Sequence, residues 1–324
     1  MAKNTCDRTI EAHWIFIKDI RTLEEYKSRE IPIDNILNLF YRHSLNLTSK
    51  GIPFKASSDK IFWMEKIKAC DGNDENRNIL IKYLNFNKKY PITNVLNLKR
   101  DGEMDKYHGG EHRQHIMIIP MKSMNRALLL IEKVSGGIST RNIYDQLNDF
   151  EKYLNGTGYI EKLKLKDIGI KNVVSLDYLK KFGRLDWVSE INLELDRKKM
   201  SKRMGINFTD KNSRDSIVIT SKPKERKSFD AKGTFDLVKG LLDNNPNDPI
   251  IKKIIVRGKD VKKEPVVVNT EVMKLKRTFT INLNDDDGLV NTEELFSKFE
   301  SLADSKEFRE ELSDCTLDLS PYKV

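Results

Sequence analysis

Along residues 185–195, Leu185, Trp187, Ser189, Ile191, Leu193 and Leu195 hold the odd positions, and Asp186, Glu190, Asn192 and Glu194 hold even ones. A period of two sends successive side chains to opposite faces of a strand, so this run predicts a strand with one buried and one wet face. Shorter apolar runs predict strands at 10–17, 61–67, 79–86, 115–119, 126–134, 216–220, 250–256, 266–272 and 277–283, and Leu163 and Leu165 begin a further alternation. The short stretch 120–125 turns two of these into an antiparallel hairpin. Residues 101–110 are polar and interrupt the pattern.

Helical spacing appears where the alternation stops. Ile36, Leu37, Phe40 and Tyr41 share one face after Pro32 and Asp34. Ile143, Leu147, Phe150 and Leu154 share another, capped by Ser139 or Thr140 and closed by Asn155 and Gly156. Ser175 caps a short helix, 234–242 forms another, and Asn291 with Glu294 opens one over 293–302 as a capping box. The strands do not alternate with long helices, which predicts an α+β fold with mainly antiparallel sheets. A chain of 324 residues exceeds what one core usually serves. The expected division is an N-terminal α+β domain over 1–156 and a basic C-terminal α+β domain over 157–324, ending in an acidic helix or tail.

Charge changes the picture more than composition does. From Asp196 to Arg277 there are 22 Lys and Arg against 11 Asp and Glu, whereas 285–324 holds 12 acids against 4 bases. The positive residues fall in three clusters: Arg197, Lys198, Lys199, Lys202 and Arg203; Lys222, Lys224, Arg226 and Lys227; and Arg257, Lys259, Lys262 and Lys263. Like charges held this close repel one another, and a phosphate backbone relieves that repulsion while releasing counterions. The bland reading is the solvated surface of a lysine-rich protein. Nucleic-acid binding requires in addition that the clusters form one continuous surface. The acidic residues Asp285, Asp286, Asp287, Glu293, Glu294, Glu307, Glu310 and Glu311 belong to a solvated helix and tail, or else cover the basic surface.

The sequence offers little for catalysis. His115 enters a strand while His108 and His112 flank a glycine turn beside Glu111, and no Cys completes a set, so they read as ordinary histidines of a polar stretch and not as metal ligands. Asp186, Glu190 and Glu194, with Lys198 beyond, lie on one strand face and supply the alternative of a metal-dependent nuclease. Gly156 and Gly158 are a fragment of a glycine-rich loop, and no GxxxxGK[ST], GxGxxG or GxSxG motif occurs. No cofactor or metal is expected. Cys6, Cys70 and Cys315 are isolated and odd in number, which fits a reducing cytoplasm better than a disulfide framework. No apolar run approaches bilayer length and the N-terminus has no signal-peptide core, so neither membrane insertion nor secretion is expected.

The stretch GRLDWVSEINLELDRKKMSKRMG, Gly183 to Gly205, resembles the apolar strand and basic helix of the RexA phage exclusion family. The hairpin HIMIIPMKSMNRALLLIEKVSGG with its following helix resembles the order of elements in that family and in the KwaB subunits of Kiwa antiphage defence. The resemblance implies a two-part α+β fold, non-specific DNA binding, homodimerisation and a defence role. It assigns the basic helix to Arg197, Lys198, Lys199, Lys202 and Arg203, and the acidic tail departs from it. The expected function is thus a non-catalytic, largely sequence-independent binder of double-stranded DNA, sensing or adapting for a partner effector or membrane protein. The alternatives are the nuclease and a protein-interaction module with an acidic partner.

Overall fold

A computed structural model of the chain describes residues 4–17, 33–70, 73–86, 90–93, 100–104, 109–121, 126–156, 168–173, 175–204, 216–224, 227–243, 251–270, 275–284 and 286–314. In chain order the elements are β1 (Thr5–Ile17), α1 (Ile33–Ser49), β2 (Phe54–Ser57), β3 (Lys60–Cys70), β4 (Asn73–Asn85), β5 (Tyr90–Thr93), β6 (Arg100–Met104), β7 (Glu111–Met121), β8 (Arg126–Lys133) and α2 (Thr140–Gly156). There follow β9 (Ile168–Asn172), α3 (Leu176–Gly183), β10 (Trp187–Asp196), α4 (Arg197–Met204), β11 (Ser216–Ser221), α5 (Ala231–Asp243), β12 (Ile251–Lys259), β13 (Pro265–Asn269), β14 (Lys276–Asn282), α6 (Thr292–Asp304) and α7 (Lys306–Asp314). The fold is α+β, with one sheet of eight strands, one of four, and a two-stranded ribbon of β5 and β6. No described helix is long and apolar enough to cross a membrane.

Met1–Ile170 and Arg277–Ala303 make one compact unit, and Lys171–Lys276 and Asp304–Val324 make the other. This division differs from a single cut after Gly156, because the chain returns to the first unit. The return is made by β14, which lies beside β1: Thr278 meets Thr9, Thr280 donates to Asp7, and the Leu283 N–H reaches the Asn4 carbonyl. No local pattern announces such a pairing, since its partners stand more than 260 residues apart.

In the first unit the sheet runs β14-β1-β8-β7-β4-β3-β2, with β9 also beside β1. Its ladders from β1 to β2 are antiparallel, including the expected β7–β8 hairpin, whose turn at 122–125 lies outside the described residues. Ile36, Leu37, Phe40 and Tyr41 of α1 and Ile143, Leu147, Phe150 and Leu154 of α2 pack with Ile79, Ile81, Ile116, Ile118 and Leu129 of the sheet. Each such fully buried side chain contributes roughly 1.5–3 kcal/mol of transfer free energy. Ser139 caps α2 as expected: its Oγ accepts the Asn142 N–H, and Asn142 Oδ1 accepts the Ser139 N–H in return. The polar run 101–110 is not all loop. Arg100–Met104 forms β6, held by backbone pairing to β5 and needing no apolar alternation.

Where β7 and β8 diverge, the buried Gln114 takes over the role of the ladder. Its amide donates to the carbonyls of Glu132 and Ile138, and its Oε1 accepts the Ile138 N–H. A Cβ on Gly137 would stand 2.7 Å from that Oε1, so a larger residue here would displace the Gln114 amide from its partners.

The second unit has a four-stranded sheet, β11-β10-β12-β13, antiparallel throughout. Tyr178, Leu179 and Phe182 of α3 and Phe235 and Val238 of α5 cover one face, against Val188, Ile191, Ile254, Val256, Val266 and Val268. Ser175 caps α3, accepting the Tyr178 N–H, and Asp230 begins α5 by accepting the Gly233 N–H. The strict alternation expected over 185–195 is broken. A β-bulge between Val188 and Glu190 shifts the phase, so Val188 is buried and Trp187 is 39% exposed. Gly258, opposite Val188, lets the strands approach there: a Cβ would run into the Trp187 carbonyl oxygen. Leu163 and Leu165 lie outside the described residues.

Candidate nucleic-acid interface

Strand direction decides which basic residues meet. β11 and β12 both run antiparallel to β10, with Ser221 opposite Ile191 and Lys259 opposite Trp187. The chain therefore leaves β11 and β12 at the end of the sheet where β10 begins. Lys222, Lys224 and Lys227 follow β11 there, Arg257 and Lys259 close β12, and Lys262 and Lys263 form the β12–β13 turn. All seven are exposed. Arg226 lies outside the described residues.

The first cluster goes elsewhere. Arg197, Lys198 and Lys199 start α4, which follows the last residue of β10, about 30 Å along the strand at 3.3 Å per residue. The requirement of one surface for all three clusters is met by two of them and not by the third. Lys202 and Arg203 belong to α4, but their side chains lie outside the described residues. Asp196 Oδ1 accepts the Lys199 N–H at 3.0 Å and so caps this helix, and Lys252 stands 3.6 Å from the same carboxylate. The Lys199 N–H foremost, with Lys252 adding to it, holds the Asp196 carboxyl below the usual range.

The turn that carries Lys262 and Lys263 is built on Asp260. Its carboxylate accepts the N–H groups of Lys262 (3.0 Å) and Glu264 (2.9 Å) and receives Arg184 at 3.0 Å. The Arg184 hydrogen bond foremost lowers its pKa, so the scaffold stays ionised at neutral pH. Lys263 takes φ 67°, a left-handed backbone that L side chains adopt at a cost of roughly 1–2 kcal/mol. Arg184 with the exposed Lys180 and Lys181 ends α3 immediately before β10, adding cations that sequence reasoning missed. They sit in an amphipathic helix, where lysine attracts no attention.

On the face of this sheet away from α3 and α5, Trp187, Val218, Arg257, Lys259 and Val267 are exposed. By register this face presents Trp187 and Lys259; Lys222, Glu190, Arg257 and Val267; Thr220, Asn192, Ile255 and Asn269; then Val218, Glu194 and Lys253. Val218 and Val267 are 57% and 50% exposed. A polar chain crosses it: Thr220 donates to Asn192 at 2.7 Å, and Asn192 donates to Glu190 at 2.6 Å. Glu190 also meets Arg257 at 3.3 Å and Lys222 at 3.4 Å.

That arrangement gives Glu190 a use other than metal binding. Glu190 is engaged with two cations, and the bulge separates Asp186 from the face shared by Glu190 and Glu194. Among the described residues, no group of three or more His, Cys, Asp and Glu is placed to hold a metal ion. Glu190 acts instead as a local counterion. The Asn192 amide foremost, then Lys222 and Arg257, hold its carboxyl below the usual range. It stays charged from neutral pH down through the mildly acidic range, cancelling part of the cationic field. Glu190→Gln is therefore expected to tighten polyanion binding several-fold at pH 7, and wild-type binding to tighten only once the pH falls below the ordinary carboxylate range. Fluorescence anisotropy across pH checks both; weaker binding by Glu190→Gln would mean that the carboxylate itself contacts the ligand.

The histidines find another role in the first unit. His115 lies on a strand as expected and is buried on β7, with Nδ1 2.7 Å from Glu132 Oε2 and Nε2 3.0 Å from Thr292 Oγ1. Its backbone N–H also reaches Glu132, and Arg8 stands 3.3 Å from the other carboxylate oxygen. Carboxylate, imidazole and hydroxyl follow the order of a nucleophile relay. A relay must open onto substrate. Here His115 and Glu132 are each 1% exposed and Phe296 lies edge-on against the imidazole, so the array is a clasp that seats α6 on the sheet. His112 stacks on Tyr83, and His108 lies outside the described residues.

Much of the acidic segment has the same structural use. Asp287 pairs with Arg113, Glu293 with Lys66 and Lys68, Glu300 with Asn78, and Glu294 accepts from Asn282. Asn291 caps α6 through the Glu294 N–H, but the Glu294 carboxylate bonds Asn282 and does not close the expected capping box. In α7, Lys306 pairs with Glu310 and Arg309 with Asp304. Cys6 and Cys70 are free thiols, and burial pushes Cys70 up to about 12. No protein-family model matches the chain, and no curated protein matches it.

Proposed function

We propose that the chain is a non-catalytic protein that holds a nucleic-acid backbone, with little selectivity for sequence, at the end of the second unit's sheet where β10 begins. One observation carries this reading. Lys222, Lys224, Lys227, Arg257, Lys259, Lys262 and Lys263 come from two separate connections and meet at one end of one sheet. Arg257 and Lys222 share one carboxylate, Glu190, and that single charge serves both. Contacts of this type go to phosphate, which positions a ligand without reading its bases. The strand and basic helix that carry the resemblance to phage exclusion proteins are β10 and α4. This supports extending the reading to a cytoplasmic homodimer that serves antiphage defence as a sensor or adaptor for a partner effector.

The test is retention of labelled single-stranded and duplex DNA by the full chain at two salt concentrations, with Mg²⁺ or Mn²⁺ and with EDTA. Salt-weakened retention without cleavage is expected, with a log–log slope of roughly −5 if about six cations meet phosphates. Metal-dependent cleavage that Glu190→Ala abolishes would replace this reading with the nuclease. Absence of retention at low salt would leave an acidic protein as the partner.

A further inference from the structure

We infer that the ligand taken by this unit is an unpaired strand, laid on the sheet face away from α3 and α5 with a base stacked on Trp187. The inference rests on the polyanion reading above and adds the class of nucleic acid and the residue that selects it.

The two faces of the sheet differ. One is closed by α3 and α5. The other keeps a tryptophan, two valines at least half exposed, and a ladder of hydrogen-bonded polar side chains. Trp187 reaches this face only because the bulge at Val188–Glu190 shifts the strand by one position; without it, alternation would place Trp187 with Ile191 in the core. Its direct cross-strand neighbour is Lys259, and Arg257 lies one pair further along the same face. An aromatic ring beside cations on one sheet face matches what an unpaired strand needs: a π-face for a base and positive charge for the phosphates on either side.

Charge complementarity commits the face to this occupant. Lys222, Lys253, Arg257 and Lys259 stand there against Glu190 and Glu194, and the lysines beyond Ser221 and Lys259 continue the positive surface past its edge. The apolar side chains argue against a duplex. A duplex presents phosphates outward and reaches bases only through its grooves, so Val218, Val267 and the ring of Trp187 would face a charged backbone. Unpaired bases supply the apolar surface that these side chains lack. The pre-set chain from Thr220 through Asn192 to Glu190 leaves fewer rotamers to freeze when a ligand arrives.

The experiment compares a labelled dT20 strand with a duplex of the same length, using the full chain at 50 mM salt and fluorescence anisotropy. The single strand is expected to bind more tightly, and Trp187→Ala to weaken it by roughly tenfold while leaving the duplex nearly unchanged. Trp187→Phe, which keeps a ring, is expected to retain most of the affinity, and circular dichroism of both variants verifies the fold. Equal losses on strand and duplex, or no loss on either, overturn the inference. So does a change from dimer to monomer in sedimentation with strand affinity intact, which would give the face to a second copy of the chain. The two proposals separate cleanly: if the wild-type protein retains neither nucleic acid at low salt, the polyanion reading fails. If it retains both and Trp187→Ala is silent, only the stacking assignment fails.

Discussion

Glu132→Ala is expected to destabilise the first unit by roughly 3–5 kcal/mol, the usual penalty for stripping one partner from a buried ion pair. The carboxylate is 1% exposed and is met by the His115 imidazole and backbone N–H and by Arg8. Alanine would leave the buried imidazole and N–H of His115 without that acceptor, and the part-exposed Arg8 without its partner. Three elements lose their tie together, because Glu132 stands on β8, His115 on β7 and Thr292 on α6. Urea denaturation measures the effect. Trp14 and Trp63 lie in the first unit, so a Trp187→Phe background makes the emission report that unit alone. With a dependence of about 1–3 kcal/mol per molar urea, the midpoint should fall by about 2 M. Thr292→Val removes one hydrogen bond and should cost only about 1 kcal/mol. A shift below about 0.5 M for Glu132→Ala would mean that the network does not hold the fold, and would reopen the relay as chemistry.

That network shows where the sequence stops being informative. His115 was legible as the start of a strand, and the hairpin containing it was legible from its apolar runs. Its partners were not. Glu132 is an acid near the end of a strand and Thr292 a polar residue at a helix start, 177 positions from the imidazole. Only the β7–β8 register and the seating of α6 bring them together, and local patterns encode neither. The caps formed by Ser139, Ser175 and Asn291 were readable, because a cap depends on residues within one turn. The Glu294 side chain was not, because Asn282 outcompetes the helix's own N–H for its carboxylate.

The interface divides in the same way. The three basic clusters stood out by composition, but the question that matters is which of them meet, and that is a property of strand direction. Two connections exit at the same end of β10 and the third at its opposite end, a fact invisible until the order β11-β10-β12-β13 is known. Trp187 was hidden by a stronger signal. The alternation around it is so regular that it reads as a core residue, and the one-residue bulge that exposes it leaves no mark in the periodicity. Opposite Val188, Gly258 is the one local trace, an isolated glycine where two backbones come close.

Reversing Lys222, Lys224, Lys259 and Lys262 to glutamate is expected to weaken polyanion binding at 50 mM salt by about 100-fold or more, and to flatten the salt slope from roughly −5 to roughly −2. The slope is the sharper quantity, since each phosphate left without its cation should remove about 0.9 from it on a duplex, or about 0.7 on an unpaired strand, whatever the remaining affinity. All four side chains are exposed and none belongs to the core, so the variant should keep its fold. Reversal of Lys198 and Lys199 provides the comparison. They carry half as much charge as the other four and stand at the far end of β10, so they alter the net field without touching a ligand held at the near end. Their variant should lose affinity only several-fold and keep its slope. If instead both variants flatten the slope, the backbone runs the length of the sheet, from the β12–β13 turn to α4. If only the α4 variant does so, the convergence at the start of β10 is a coincidence of connections and the site has been placed at the wrong end.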